Sequence, residues 1–184
     1  MQRNDLLVWM DLEMTSLVDV RVDQIIEIAV VLTDNDLNIV AEGPVIAIHA
    51  DHEVFETIPP EIKVFHQKSG TYEASIASTT TVREAEERVL AFVKEHVVAG
   101  SSPLCGNSIH TDRHFLRLQM PTLEDYLFYR CIDVSTLKEL ARRWAPAVYT
   151  EAERRKQNKT HRAKDDILQS IDELRFYRET LFKI

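Results

Sequence analysis

Val8-Trp9-Met10-Asp11-Leu12-Glu13-Met14-Thr15 decides how the chain is read. With Leu6 and Leu7 it forms an apolar run of strand length just inside the N-terminus. Two carboxylates interrupt it at i and i+2. Alternation along a strand puts Asp11 and Glu13 on one face, about 6–7 Å apart, with Met10 and Leu12 on the other. Like charges on a buried strand repel each other and lose hydration. A hard divalent cation, Mg²⁺ or Mn²⁺, relieves both costs. A strand that leaves the core with solvated acids has the same pattern. The cation reading therefore depends on carboxylates elsewhere in the chain.

The 184 residues are 45% hydrophobic and 8% aromatic, which favours one domain with a sizeable core. The longest apolar stretch, Ile25 to Leu32, is broken by Glu27 and is too short to span a bilayer. The N-terminus has no signal-peptide pattern, and Cys105 and Cys131 lie in apolar strand-like runs. Both thiols are expected to be buried and reduced, as in a cytoplasmic protein. A net charge of −8 argues against a protein that coats long nucleic acids by electrostatics. It allows a small nucleic-acid substrate held by a few contacts. Lys138, Arg142, Arg143, Arg154, Arg155, Lys156, Lys159 and Arg162 crowd one late segment. They form either a solvated basic loop or a rim over an anionic ligand.

Outward from the first strand, Ile25–Thr33 and Leu37–Ile48 read as two further strands in an antiparallel arrangement, with the turn Asp34-Asn35-Asp36 between them. Helices are expected over Asp51–Thr57 and from Pro60 to Gly70. Thr81-Val82-Arg83-Glu84 is a capping box that opens a helix closed by Gly100. A short strand, Pro103–Asn107, precedes a helix over Thr111–Met120 and a shorter one after Pro121. Tyr129–Asp133 is the fifth strand. A helix capped by Ser135 or Thr136 runs to Trp144, a mobile loop covers Ala145–Lys159, and a last helix covers Arg162–Phe182. Three antiparallel strands followed by alternating helices and strands give an α/β fold, a mixed five-stranded sheet flanked by helices.

Two other places hold carboxylates. Asp112 stands near the start of a helix, after Asn107-Ser108-Ile109-His110. In Thr160-His161-Arg162-Ala163-Lys164-Asp165-Asp166, the apolar face is Ala163, Ile167, Ile171 and Leu174. Asp166 flanks that face and looks inward, Asp165 lies opposite in solvent, and His161 falls in the preceding loop.

These pieces resemble the DEDDh exonuclease superfamily, which has an RNase H-like fold. Asp11 and Glu13 match its first motif, Asp112 its second, and His161, Ala163 and Asp166 its third. Within it, Trp9–Thr15, Cys105–Ile109 and Ile132–Trp144 resemble the branch that degrades very short RNAs. The resemblance covers nearly the whole chain. Two positions depart from that branch: Ser16 replaces a common glycine, and Glu61-Ile62 stand where some members carry a tryptophan.

The resemblance implies 3′→5′ cleavage that releases nucleoside 5′-monophosphates, and a homodimer with no membrane association. It implies a Leu17 wedge between two bases and His66 near the scissile-end nucleotide. Ser108, Arg130 and Ser135 would cap a 5′ phosphate, and Tyr129 would reach the partner's site. The chemistry fits: four carboxylates, Asp11, Glu13, Asp112 and Asp166, suffice for two divalent cations, and His161 suits a general base. The low charge and the capped phosphate together point to dinucleotides. The alternatives are a broader proofreading or RNA-trimming exonuclease, or a catalytically silent RNA-binding module.

Overall fold

The computed structural model describes residues 1–155 and 162–182. Strand β1 (Leu7–Met14) pairs antiparallel with β2 (Ile25–Thr33), and β2 pairs antiparallel with β3 (Ile39–Ala47). On the other side of β1, β4 (Pro103–Gly106) and β5 (Phe128–Asp133) add in parallel. The order is β3-β2-β1-β4-β5, the mixed sheet expected from the sequence. All nine residues of β2 are buried, as its run of β-branched residues requires of a strand covered on both faces.

The helices are α1 (His52–Thr57), α2 (Pro60–Ser69), α3 (Thr71–Ala77), α4 (Val82–His96), α5 (Ile109–Gln119), α6 (Pro121–Tyr126), α7 (Val134–Trp144), α8 (Pro146–Arg155) and α9 (Ala163–Leu181). Both halves of the Thr81–Glu84 capping box are formed at the start of α4. Such a cap stabilises a helix by about 1 kcal/mol.

The parity of β1 sorts the core into two layers. Val8, Met10 and Leu12 pack with Val89 and Val93 of α4 and Phe115 and Leu116 of α5. Leu7 and Trp9 pack with Val134 of α7, Ala152 of α8 and Ile167 and Ile171 of α9. The indole N–H of Trp9 donates to Thr33 Oγ1 at 2.9 Å, so this large buried side chain leaves no donor unpaired. Asp11 and Glu13 continue the odd face and so point toward the α9 layer.

Several sequence expectations are corrected. Ala145–Lys159 is not a loop over its described part, because Pro146–Arg155 is helix α8. Its apolar signal is slight: Ala152 is buried, and Val148 and Tyr149 pack at the margin of the core. Residues 156–159 lie outside the described part. A helix, α3, follows Gly70, whose φ of +77° turns the chain between α2 and α3. Helix α4 ends at His96, with Val97 as its C-cap, and Gly100 lies in the turn beyond. Asp133, not Ser135 or Thr136, caps α7. Cys105 is buried, but Cys131 is exposed on β5, the outer strand of the sheet. No helix among the described residues is long and apolar enough to cross a membrane.

Candidate active site

Carboxylate oxygens of Asp11, Glu13 and Asp166 lie within 4.8 Å of one another, although the residues come from opposite ends of the chain. Strand parity supplies the first two, and the first turn of α9 supplies the third. Asp112 is buried beneath them. Its Oδ1 accepts from the backbone N–H of Leu12 at 2.9 Å, which ties α5 to the peptide between the two strand acids. Burial is the main cause that pushes Glu13 up to about 8, and the negative charges of Asp166, Glu27 and Asp112 add to it. Burial likewise raises Asp112, to about 7, against the lowering effect of the Leu12 bond. Carboxylates gathered and desolvated in this way fit hard divalent cations, whose charge would favour the ionised forms.

Glu27 breaks the longest apolar run of the sequence. It pairs in register with Glu13, is 1% exposed, and meets Arg162 Nη2 at 2.6 Å. Its Oε1 also accepts from the backbone N–H of Ala163 at 3.0 Å, satisfying a donor in the first turn of α9. Glu27 thus fixes the start of the helix that delivers Asp166. A lone acid inside an otherwise apolar central strand was the available signal, since a buried charge needs a partner. Asp165, which the helical wheel puts in solvent, is half-buried. It lines the same cavity as Asp166. His161 lies outside the described residues.

That cavity, of about 960 Å³, is bordered by Asp11, Asp166, Ser108, Ser135, Lys138 and Arg155, among others. Asp133 organises its wall. Its Oδ1 accepts from the N–H of Ser108 at 2.9 Å and from Ser135 Oγ at 2.6 Å. Ser108 sits at φ +53°, a strained conformation for a residue with a side chain, and the Asp133 bond helps hold it there. Asn107 Nδ2 donates to Ser170 Oγ at 2.9 Å and to Glu173 Oε2 at 3.1 Å, joining the end of β4 to α9.

The basic segment is largely neutralised from within. Arg142 and Arg143 pair with Glu139, Arg154 and Arg155 with Glu151, and Arg162 with Glu27. Lys138 stands 3.8–3.9 Å from Glu173 and Glu153. Among the described residues the basic side chains that line the cavity are Lys138, Arg155 and Arg175, each with an acidic neighbour, so the wall carries no unbalanced positive rim.

The remaining sequence candidates are spread around this centre. Leu17 is 65% exposed in the loop after β1, the placement a wedge requires. His66 is buried, with Nε2 3.3 Å from the carbonyl of Thr15 and Nδ1 3.0 Å from Thr71 Oγ1. Burial lowers its pKa from the usual histidine value, and its two ring contacts brace α2 against the end of β1. Tyr129 and Arg130 stand outward on β5, with Arg130 Nε donating to Tyr129 Oη at 2.9 Å. Neither borders the cavity that Ser108 and Ser135 line.

The exonuclease family profile matches residues 8–174. The oligoribonuclease of Shewanella loihica is 52% identical over 178 residues, 97% of this chain and 96% of that protein. The oligoribonuclease of Halorhodospira halophila is 53% identical over 97% of this chain and 95% of its own length. Among solved structures, exonuclease I from Methylocaldum szegediense superposes with a TM-score of 0.71 at 18% identity. Another exonuclease I structure reaches 0.73 at 12% identity. The chain spans only about 40% of these exonuclease I chains, and at such identity they show the fold, RNase H-like, and no more. The near full-length matches go further: the chain belongs to the oligoribonuclease family.

Proposed function

We propose that this chain is a 3′→5′ exoribonuclease that hydrolyses very short RNAs, dinucleotides above all, to nucleoside 5′-monophosphates. The observation that carries the reading is the meeting of Asp11, Glu13 and Asp166 within 4.8 Å, backed by the buried Asp112. Two divalent cations, Mg²⁺ or Mn²⁺, held by these four carboxylates would activate a water and neutralise charge on the attacking and leaving oxygens. The protein's own groups do the rest. His161, with an ordinary pKa of about 6.5, takes the proton of the attacking water. Leu17 inserts between the two bases, and His66 braces the loop beside the scissile-end nucleotide. Ser108, Ser135 and Arg130 receive the 5′ phosphate, the guanidinium as a bidentate donor. The chain acts as one domain, residues 1–184, in a cytoplasmic homodimer in which Tyr129 serves the partner's site.

The test is turnover of a 5′-phosphorylated dinucleotide after chelation and after return of Mg²⁺ or Mn²⁺. Chelation abolishes turnover, and either ion restores it with nucleoside 5′-monophosphate as product. Asp166→Ala loses at least a thousandfold in rate with the ion present, while Asp165→Ala stays within about tenfold, the scale of a contact worth about 1.4 kcal/mol. An active Asp166→Ala beside a dead Asp165→Ala would exchange the roles of the two acids. Activity in chelator would remove the cation reading altogether.

A further inference from the structure

One step along β4, from Pro103 to Leu104, corresponds to three along β5, from Phe128 to Cys131. Tyr129 and Arg130 are the two residues left without partners, so they sit in a bulge at the outer strand of the sheet. Bulges re-aim side chains and leave backbone groups outside the ladder, and in parallel pairs they are rare. Here the exposed carbonyls are met by one side chain. Arg113 Nη2 donates to the carbonyl of Phe128 at 3.0 Å. Its Nη1 donates to those of Tyr129 at 2.9 Å and Arg130 at 3.2 Å. Its Nε is fixed by Glu124 Oε1 at 2.7 Å, and Arg117 Nε reaches the same oxygen at 3.1 Å. Arg113 is 7% exposed and Glu124 8%, so this is a buried pair, and the guanidinium spans the bulge from the Phe128 carbonyl to Cys131 Sγ, which Nη1 meets at 3.3 Å. Arg113 also follows Asp112 directly on α5. One turn of helix therefore carries both the acid beneath the cation site and the clamp on the segment that presents Arg130.

We infer that Arg113 is a positioning residue for substrate specificity: its guanidinium holds the β5 bulge in the shape that aims Arg130, and so sets the preference for a 5′-phosphorylated end. The physical requirement is a planar fork of five donors, which lysine cannot reproduce with one compact ammonium. The inference rests on the proposal that Arg130 receives the terminal phosphate, and the experiment separates the two. The quantity to measure is the ratio of kcat/KM for a dinucleotide with and without a 5′ phosphate. It is taken in wild type, Arg113→Lys, Glu124→Gln, Arg130→Ala and the double variant Arg113→Lys/Arg130→Ala, with thermal melting as the check on folding.

The ratio falls at least tenfold in Arg113→Lys, mainly through KM for the phosphorylated substrate. It falls less in Glu124→Gln, where the fork remains but its anchor is weakened. In the Arg130→Ala background, Arg113→Lys changes the ratio no further, because both act through the same contact. A ratio kept by Arg113→Lys but lost by Arg130→Ala overturns the inference and leaves the phosphate role of Arg130 standing. A ratio kept by Arg130→Ala removes that role itself. If Arg113→Lys does not fold, an unchanged ratio in Glu124→Gln beside a loss in Arg130→Ala overturns the inference equally.

Discussion

Glu13, raised to about 8 by burial and by its acidic neighbours, makes the ion-free protein sensitive to pH in a definite sense. Between the ordinary glutamate range and pH 8 the folded state keeps a proton that the unfolded chain releases. Stability from this group is therefore complete at pH 4.5 and below and is lost as pH rises through 8. Asp112, raised to about 7, acts in the same direction. The melting temperature of the chelated protein falls from pH 5 to pH 8.5, and Glu13→Gln flattens part of that slope. Added Mg²⁺ raises the melting temperature more at pH 8 than at pH 6, since ligands must be deprotonated to bind it. A slope identical in wild type and Glu13→Gln would show that Glu13 is not the titrating group. At this scale the sequence was legible where geometry is periodic. Strand parity placed Asp11 and Glu13 on one face, and the helical wheel turned Asp166 inward. It failed for Asp165 because a cavity lies alongside α9, so the side opposite the core is not simply solvent.

Between elements, the junction that matters most is Glu27 with Arg162 and Ala163. It ties the central strand to the start of α9 across more than a hundred residues of chain. Replacing Glu27 by Gln removes the charge from these bonds and costs about 1.5–3 kcal/mol, the scale of hydrogen bonds to a charged group. Turnover falls as well, because the turn that carries Asp166 loses its anchor. Chemical denaturation and initial rates measured together check this, and unchanged stability would show that Arg162 finds an equivalent partner in solvent. Strands and most helices were legible because β-branched runs, the capping box and the prolines each have a local cause. Helix α8 was not. Its sequence is mostly polar, and its stability comes from the packing of Ala152 and its neighbours on α7 and α9, which no local pattern records. The bulge in β5 was hidden for the same reason, since register belongs to a pair of strands and not to one.

The whole molecule carries a charge of −8, and most of its late basic residues are spent on ion pairs within the chain. Affinity for RNA must then come from a few placed contacts, which limits how much of a polymer the protein can hold. Tyr129 is exposed on the bulge, and the proposed homodimer would use it in the partner's site. Mixed dimers of Asp11→Ala and Tyr129→Ala chains should regain about a quarter to a half of wild-type activity, a rough expectation from statistical assortment of two defects between two sites. No recovery in verified mixed dimers would assign Tyr129 to its own subunit. A site built for the shortest RNAs makes kcat/KM depend on substrate length. With 5′-phosphorylated RNAs of about two, three, five and ten nucleotides, the dinucleotide is cleaved with the highest kcat/KM and the value falls with each added length, as a closed cradle for one terminal phosphate requires. A value that stays flat or rises with length would rule out the closed cradle and identify a general exonuclease.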